Sequence, residues 1–266
     1  MSNLVFAKYH GCGNDFILID DRKKRFFSCQ TIPNLCCRYR GIGADGVILL
    51  QDSGIASYRM RFFNADGKEA SFCGNGLRCL AKFIDDAGLL KAPLHIETQS
   101  GIKKIVLKKD SVAIDMGSVQ ELECDLTLKP DLIVDVIDSG VPHALVHVSS
   151  IEDVPVEDLG SFIRNHVQFK PHGVNATFFE IQSKNTLNTR TFERGVERET
   201  QSCGTGALAA AYVAQKKHAV SDKVCINTRH GDRLFVSKDK QGALWLEGIA
   251  THVFSGVTSL NQLSRP

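Results

Sequence analysis

The sequence predicts an α/β fold of the α+β type, built from two similar domains that face each other. Three observations carry this expectation. The first is an internal repeat: RFFNADGKEASFCGNGLRCLAKFIDDAG around Cys73 is echoed by RTFERGVERETQSCGTGALAAAYVAQKK around Cys203, at a shift of 130 residues. At that offset Phe62 falls on Phe192, Glu69 on Glu199, Cys73 on Cys203, Gly74 on Gly204, Gly76 on Gly206 and Ala81 on Ala211. Self-similarity at a fixed spacing marks a duplicated unit. The second is a shared local grammar, in which a strand-like run leads through a polar loop to a cysteine and then a helix. The third is strand-rich sequence nearly everywhere else.

Taken in order, residues 5–9, 16–20, 47–51 and 58–64 read as strands. Leu77, Leu80, Ala81 and Ile84 then lie at helical spacing, and this helix ends near Gly88. Residues 94–98 form another strand, and 102–116 read as a hairpin turning near Lys109 and Asp110. Charged residues and Pro130 interrupt the strand pattern over residues 117–131, which places a domain boundary there. The expected division is 1–117 and 118–250, with a C-terminal strand at 251–266 completing the first domain. Residues 144–148 and 188–193 are strands of the second half. Residues 207–217 are rich in Ala and end in Lys216 and Lys217, as suits a helix C-terminus. A second hairpin spans 233–248, turning near 240–242. Gly76 and Gly206 stand where backbone must approach something closely.

The chain has 266 residues, 43% of them hydrophobic, and a formal net charge of +2. Its basic residues are scattered, apart from short clusters such as residues 22–25, so the concentrated basic face that nucleic acid demands is missing. No apolar run is long enough to span a bilayer. The start lacks a basic stretch followed by an apolar run, so no signal peptide is expected and a cytoplasmic location follows as the default. The nine cysteines are odd in number and include no C-x-x-C pair, which argues against a disulfide framework and against zinc. Most of them read as buried small hydrophobes.

A cysteine at a helix start has unpaired N–H groups and the positive end of the helix dipole beside it. Its thiolate is favoured, so its pKa should fall. The N–H groups of Gly74 and Asn75, and of Gly204 and Thr205, can also hold a carboxylate. Two such halves face to face would place two thiols on either side of a carbon that bears that carboxylate. This is the geometry for inverting an amino-acid α-carbon, with one thiolate removing a proton and the opposite thiol delivering one. The N–H groups would stabilise charge developing on the carboxylate. The scheme requires neither metal nor cofactor.

At these residues the sequence resembles the diaminopimelate epimerase family over nearly its whole length. KYHGCGNDFILID resembles the family's opening signature, FFNADGKEASFCGNG its first thiol motif, GVNATFF its G-V-N segment and FERGVERETQSCGTGA its second thiol motif. The resemblance implies two pseudo-symmetric domains, each a curved mixed or antiparallel sheet around a central helix, with the active site in the cleft between them. It implies interconversion of LL- and meso-diaminopimelate, a precursor of lysine and peptidoglycan, by Cys73 and Cys203. His143 is implied as helper to Cys73 and Glu193 as helper to Cys203. Substrate-binding roles are implied for Asn14, Asn64, Gly74, Asn75, Asn175, Glu193, Arg194, Gly204 and Thr205. A homodimer is implied, with Phe254 at its interface. An arginine at position 194 suits a distal carboxylate, because its fork binds in bidentate fashion.

Two positions depart from the family pattern. Val141 stands two residues before His143 where the family often has Asn, and Gly46 stands where it often has Gln. Val141 cannot donate a hydrogen bond to a distal group, so shorter amino acids such as glutamate are expected as additional substrates. The rival readings are a proline-racemase-like or PhzF-like isomerase, a cysteine hydrolase using Cys73 and His143, and a binding module that retains the fold.

Overall fold

The computed structural model describes residues 3–24, 29–229 and 231–259, without the side chain of Cys29. Arg25 of the basic cluster and residues 260–266 of the expected C-terminal strand lie outside the described residues. The chain divides into two compact units, Met1–Ile114 with Gly248–Pro266, and Asp115–Glu247. Sheets dominate, helices are few and the unit is repeated, as the sequence led us to expect.

The first unit runs through β1 (Asn3–Gly11), β2 (Asn14–Asp20), α1 (Ile32–Cys36), β3 (Gly46–Gln51), β4 (Tyr58–Asn64), β5 (Glu69–Ala70), α2 (Gly74–Asp86), β6 (Leu94–Thr98), β7 (Gly101–Leu107) and β8 (Val112–Gly117). β1 pairs antiparallel with β2, β2 parallel with β3, β3 antiparallel with β4, and β4 parallel with β6. β6, β7 and β8 form a meander. The apolar runs of β2 and β3 are buried on both faces, as strands between two helical layers must be. Ile17, Ile19, Val47 and Leu49 pack with Ile32 and Leu35 of α1 on one face. On the other, Ile48 of β3 and Met60 of β4 reach Gly76 of α2.

The second unit runs through β9 (Gln120–Lys129), β10 (Leu132–Asp138), β11 (Pro142–His147), α3 (Val156–Arg164), β12 (Asn175–Ser183), β13 (Thr186–Glu193), β14 (Arg198–Thr200), α4 (Gly204–Lys217), β15 (Lys223–Asn227), β16 (Arg233–Lys238) and β17 (Leu244–Gly248). β10 to β16 repeat the pairing of β1 to β7. β10–β11 is antiparallel, β11–β12 parallel, β12–β13 antiparallel, β13–β15 parallel and β15–β16 antiparallel. The chain then returns to the first unit as β18 (Thr251–Ser259), antiparallel to β1. β9 lies against β10 in the same sense. Val134, Val136, Ala144, Val146 and Phe178 pack with Val156 and Ile163 of α3.

Residues 117–131 differ from the sequence expectation. They hold β9, with Pro130 in the turn to β10. Leu122, Cys124, Leu126 and Leu128 alternate along β9 with charged and polar residues, and Leu126 and Leu128 pack against the core, but the strand is mostly exposed and its pairing is irregular, with Asp125 at φ 54. The sequence reading also left out α3, although Val156, Leu159 and Ile163 stand at helical spacing and pack on the core.

Candidate active site

In the first unit, β4 delivers the chain through the turn at Asn64 to β5 and on to α2. Arg61 and Glu69 brace this hairpin with a bidentate pair at 2.9 and 2.8 Å. Cys73 is the N-cap of α2, with extended φ −148 and ψ 113, and its sulfur accepts from the Gly76 N–H at 3.4 Å. Asn75 is buried in the first turn, and its Nδ2 donates to Asn14 Oδ1 at 3.3 Å. That oxygen also lies 3.9 Å from the Cys73 sulfur. Asn14 Nδ2 donates in turn to Asp45 Oδ2 at 2.8 Å. Arg38 bridges Asp45 and Asp15, each at 2.8 Å. Burial raises the Asp15 pKa, but Arg38 and Lys8 outweigh it and bring the carboxyl down to about 2. Asn14, Cys73, Gly74 and Asn75 thus come together at one helix start. Asn64 stands apart from this network, exposed at the end of β4 and opposite Gly46. A Cβ at position 46 would lie 2.5 Å from the Phe63 carbonyl and 2.7 Å from the Phe62 ring, so no larger residue fits this backbone.

The second unit builds the equivalent place. Arg190 and Glu199 brace the hairpin, with both contacts at 2.8 Å. Cys203 is the N-cap of α4, with φ −119 and ψ 108. Here the second-half residues converge. Glu193, at the end of β13, accepts from the Thr200 hydroxyl and shares a hydrogen bond with the Cys203 thiol. On the other side of the thiol, the Thr205 hydroxyl lies 3.4 Å from the Cys203 sulfur and 2.9 Å from His143 Nε2. His143 and Asn175 are register partners on β11 and β12.

The proton positions follow from the donors. The Arg194 N–H donates to Asn175 Oδ1 at 2.8 Å, which turns Asn175 Nδ2 toward His143 Nε2 at 3.4 Å. Nε2 is therefore the acceptor, and Nδ1–H donates to Thr177 Oγ1 at 2.9 Å. Thr177 passes the chain to Thr191 Oγ1 at 3.1 Å, its direct partner on β13. Burial holds the His143 pKa down to about 3, with the Arg194 charge adding to the effect. The Arg194 guanidinium meets the carbonyls of His172 and Gly173 at 3.3 Å and pairs with no carboxylate among the described residues.

The Cys203 pKa corrects a sequence expectation. A fall was expected from the helix N-terminus. Burial of the sulfur pushes it up instead, the Glu193 charge adds to this, and the Thr205 hydroxyl opposes it only in part. Burial likewise raises the Glu193 pKa, against the pull of Thr200 and Cys203. The dipole of one helix is worth less than desolvation at such a depth. A second correction concerns the other cysteines. Among the eight described, only Cys12, Cys36 and Cys79 are buried. Cys124 sits on exposed β9, and the rest line turns, helix starts or a strand at intermediate depth.

Sequence reasoning missed Thr177, Thr191, Asp45 and Arg78. Thr177 lies two residues after Asn175 and so shares its face of β12. That alternation, with a hydroxyl inside an apolar strand, was the available signal.

The family model for diaminopimelate epimerase matches residues 6–122 and 136–253. The chain is 34% identical over 279 residues to a diaminopimelate epimerase of Archaeoglobus fulgidus, covering 98% of each chain. It is 39% identical over 283 residues to the one of Methanothrix thermoacetophila, covering 97% of each. Among solved structures, a hydroxyproline epimerase from Agrobacterium vitis superposes with a TM-score of 0.75 at 16% identity, over 97% of this chain and 91% of that one. A PhzF-family phenazine biosynthesis protein from Bacillus anthracis gives 0.74 at 17%, over 97% and 100%. At such identities these two show a shared fold.

Proposed function

The chain belongs to the diaminopimelate epimerase family of isomerases, and on that premise we propose that Cys73 and Cys203 are the two catalytic thiols. In this reading they exchange protons with opposite faces of one α-carbon, which interconverts LL- and meso-diaminopimelate in lysine and peptidoglycan-precursor synthesis. The observation that carries the proposal is the matched placement of the two cysteines. Each is the N-cap of the central helix in a repeated unit, with amide or hydroxyl partners aimed at its sulfur.

The chemistry needs one base and one acid at the same time. The raised pKa of Cys203 supports a resting thiol there, ready to donate, with Glu193 placed to take up or return its proton. A thiolate at Cys73 would then remove the α-proton, and the roles would reverse in the other direction. The backbone N–H groups of Gly74, Asn75, Gly204 and Thr205 would bind the reacting carboxylate, where charge grows in the transition state. Asn14, Asn64, Asn175 and Arg194 would hold the remaining polar groups, Arg194 at the distal carboxylate. Val141 would loosen distal recognition enough to admit glutamate. The small-molecule reaction needs no membrane or nucleic acid, and no helix among the described residues is long and apolar enough to cross a bilayer. A cytoplasmic homodimer is part of the same proposal.

Steady-state kinetics on LL-diaminopimelate and L-glutamate, with Cys73→Ser and Cys203→Ser beside the parent, test this. Each variant is expected to lose net epimerisation by roughly a thousandfold or more, with slow turnover of glutamate by the parent. Epimerisation retained by Cys203→Ser would contradict the two-thiol reading. No glutamate turnover would refute the loosened distal pocket.

A further inference from the structure

A buried cation without an acid partner lies behind the first thiol. Arg78, on α2, is 0% exposed and heads the largest fully buried side chains. Its Nη2 donates to Asn75 Oδ1 at 2.7 Å and lies 3.6 Å from the Cys12 sulfur, and its Nε points to the Ile249 carbonyl at 3.5 Å. Nη1 is buried and has no hydrogen-bond partner. No carboxylate pairs with Arg78 among the described residues. A guanidinium removed from water without a counter-charge is costly, and the two contacts it makes to Asn75 and Ile249 could be made by a neutral donor.

The bonds leading outward from Arg78 have one direction. Because Nη2 donates to Asn75 Oδ1, the Asn75 amide must turn Nδ2 toward Asn14. Because Asn14 Nδ2 is claimed by Asp45, its Oδ1 is left facing Asn75 and the Cys73 sulfur. The orientation of both amides at the thiol is therefore set from the two ends, by Arg78 inside and Asp45 outside. The charge is also undiluted. Asp15 on β2 and Asp45 ahead of β3 are matched by Lys8 and Arg38. Glu69 on β5 is matched by Arg61 on β4. Lys103 on β7 sits over the Phe72 ring at 5.4 Å. Tyr9 on β1 and Asp86 at the far end of α2 bond to each other at 2.8 Å. Cys12 and Cys79 beside Arg78 are buried thiols, and of the histidines on the strands packed against α2, His10 on β1 faces the Gly13 N–H at 3.4 Å and His252 on β18 faces the Ser255 hydroxyl at 2.9 Å.

We propose that Arg78 is a positioning residue for the first thiol site. It locks the Asn75 and Asn14 amides and keeps an unneutralised positive charge behind the α2 N-terminus, where the Cys73 thiolate and the anionic reacting substrate gather. The proposal rests on the reading of Cys73 as a catalytic thiol.

The test is the pH midpoint of iodoacetamide alkylation, followed separately at Cys73 and Cys203 by peptide mass spectrometry, in the full chain and in Arg78→Met and Arg78→Lys. Arg78→Met is expected to raise the Cys73 midpoint by about one pH unit, the size of shift an opposite charge at short range produces. The Cys203 midpoint should not move. Arg78→Lys keeps the charge and should leave the Cys73 midpoint near the parent's, while its single donor group grips Asn75 less well and raises KM. A folded Arg78→Met with an unmoved Cys73 midpoint overturns the proposal. So do equal shifts in the Met and Lys variants, since charge would then be irrelevant. Should Arg78→Met not fold, Arg78→Gln replaces it, and failure of both to fold makes Arg78 a structural brace and overturns the proposal. Loss of the underlying reading shows elsewhere, as full activity in Cys73→Ser.

Discussion

His143 carries its proton on Nδ1, and the surrounding side chains leave no other arrangement. Asn175 and Thr205 both address Nε2, and Thr177 accepts from Nδ1. With Nε2 as acceptor, the Thr205 hydroxyl has one proton for two acceptors, Nε2 and the Cys203 sulfur. Turned to the sulfur it favours the thiolate and opposes the rise of the Cys203 pKa, so His143 and Cys203 compete for it. The resemblance pairs His143 with Cys73, whereas the bonds inside the second unit lead through Thr205 to Cys203. His143→Gln separates the two. If the Thr205 path matters, the alkylation midpoint of Cys203 moves and that of Cys73 does not; the reverse result restores the Cys73 pairing. The same variant has a signature in stability. The folded pKa of His143 is about 3, against about 6.5 in an unfolded chain. Between those values the unfolded chain binds more protons, so stability rises with pH across the window and is lost as pH falls from about 6.5 toward 3. Denaturant melts at pH 4.5 to 7, roughly the upper part of this window, should show a shallower slope in His143→Gln. An identical slope would mean that His143 is not buried neutral. None of this was legible from sequence. The residues His143, Asn175, Thr205 and Cys203 could be named from motifs, but the proton directions need Thr177 and Thr191, which no motif marks.

At the scale of elements, each of the two cysteine-capped helices, α2 and α4, meets its sheet through a glycine in its first turn. A Cβ on Gly76 would lie 2.8 Å from Ile48 Cδ1 and 3.3 Å from Met60 Cε, the far ends of flexible side chains. A Cβ on Gly206 would lie 2.8 Å from Thr177 Oγ1, 2.9 Å from Thr191 Oγ1 and 3.3 Å from His143 Cε1, all held in one hydrogen-bonded chain. Gly206→Ala is therefore expected to cost about 1–3 kcal/mol, as overpacking does, and to lower activity. Gly76→Ala should cost less, because Ile48 and Met60 can turn away. Thermal melts with kinetics decide this, and equal effects would contradict it. That a glycine was needed at both places could be read from the sequence, since the cysteine-containing segments repeat it. What each one meets could not, because the partners come from β3 and β4 in one case and β11, β12 and β13 in the other. Strands with apolar runs, such as those at Val47 and Phe16, were equally legible. β9 was not, since its charged residues and Pro130 masked the alternation of Leu122, Cys124, Leu126 and Leu128.

At the scale of the molecule, the duplication legible in Cys73-Gly74 and Cys203-Gly204 extends to the whole pairing scheme of β1 to β7 and β10 to β16. The sequence offset shows only the hairpin and helix of each copy, because strands conserve pairing geometry with many interchangeable apolar residues. The proposed homodimer belongs to this scale. Val5 and Val257 are register partners on β1 and β18 and are 68% and 61% exposed, with Val253 half-exposed further along β18, while Phe254 lies on the other face, edge-on to Phe6 at 5.8 Å. Such a row is costly to leave in water. Sedimentation at micromolar concentration should give a dimer that Val5→Glu with Val257→Glu converts to a monomer; a monomeric parent would contradict it. The central claim, that two different thiols serve one α-carbon, is met most directly by turnover of LL-diaminopimelate in heavy water, sampled early. If one thiolate removes the proton and a solvent-equilibrated thiol supplies the other, the product carries deuterium at the inverted carbon and the remaining substrate stays unlabelled. Product that retains the substrate's own protium would mean a single base carries the proton across, and would contradict the account.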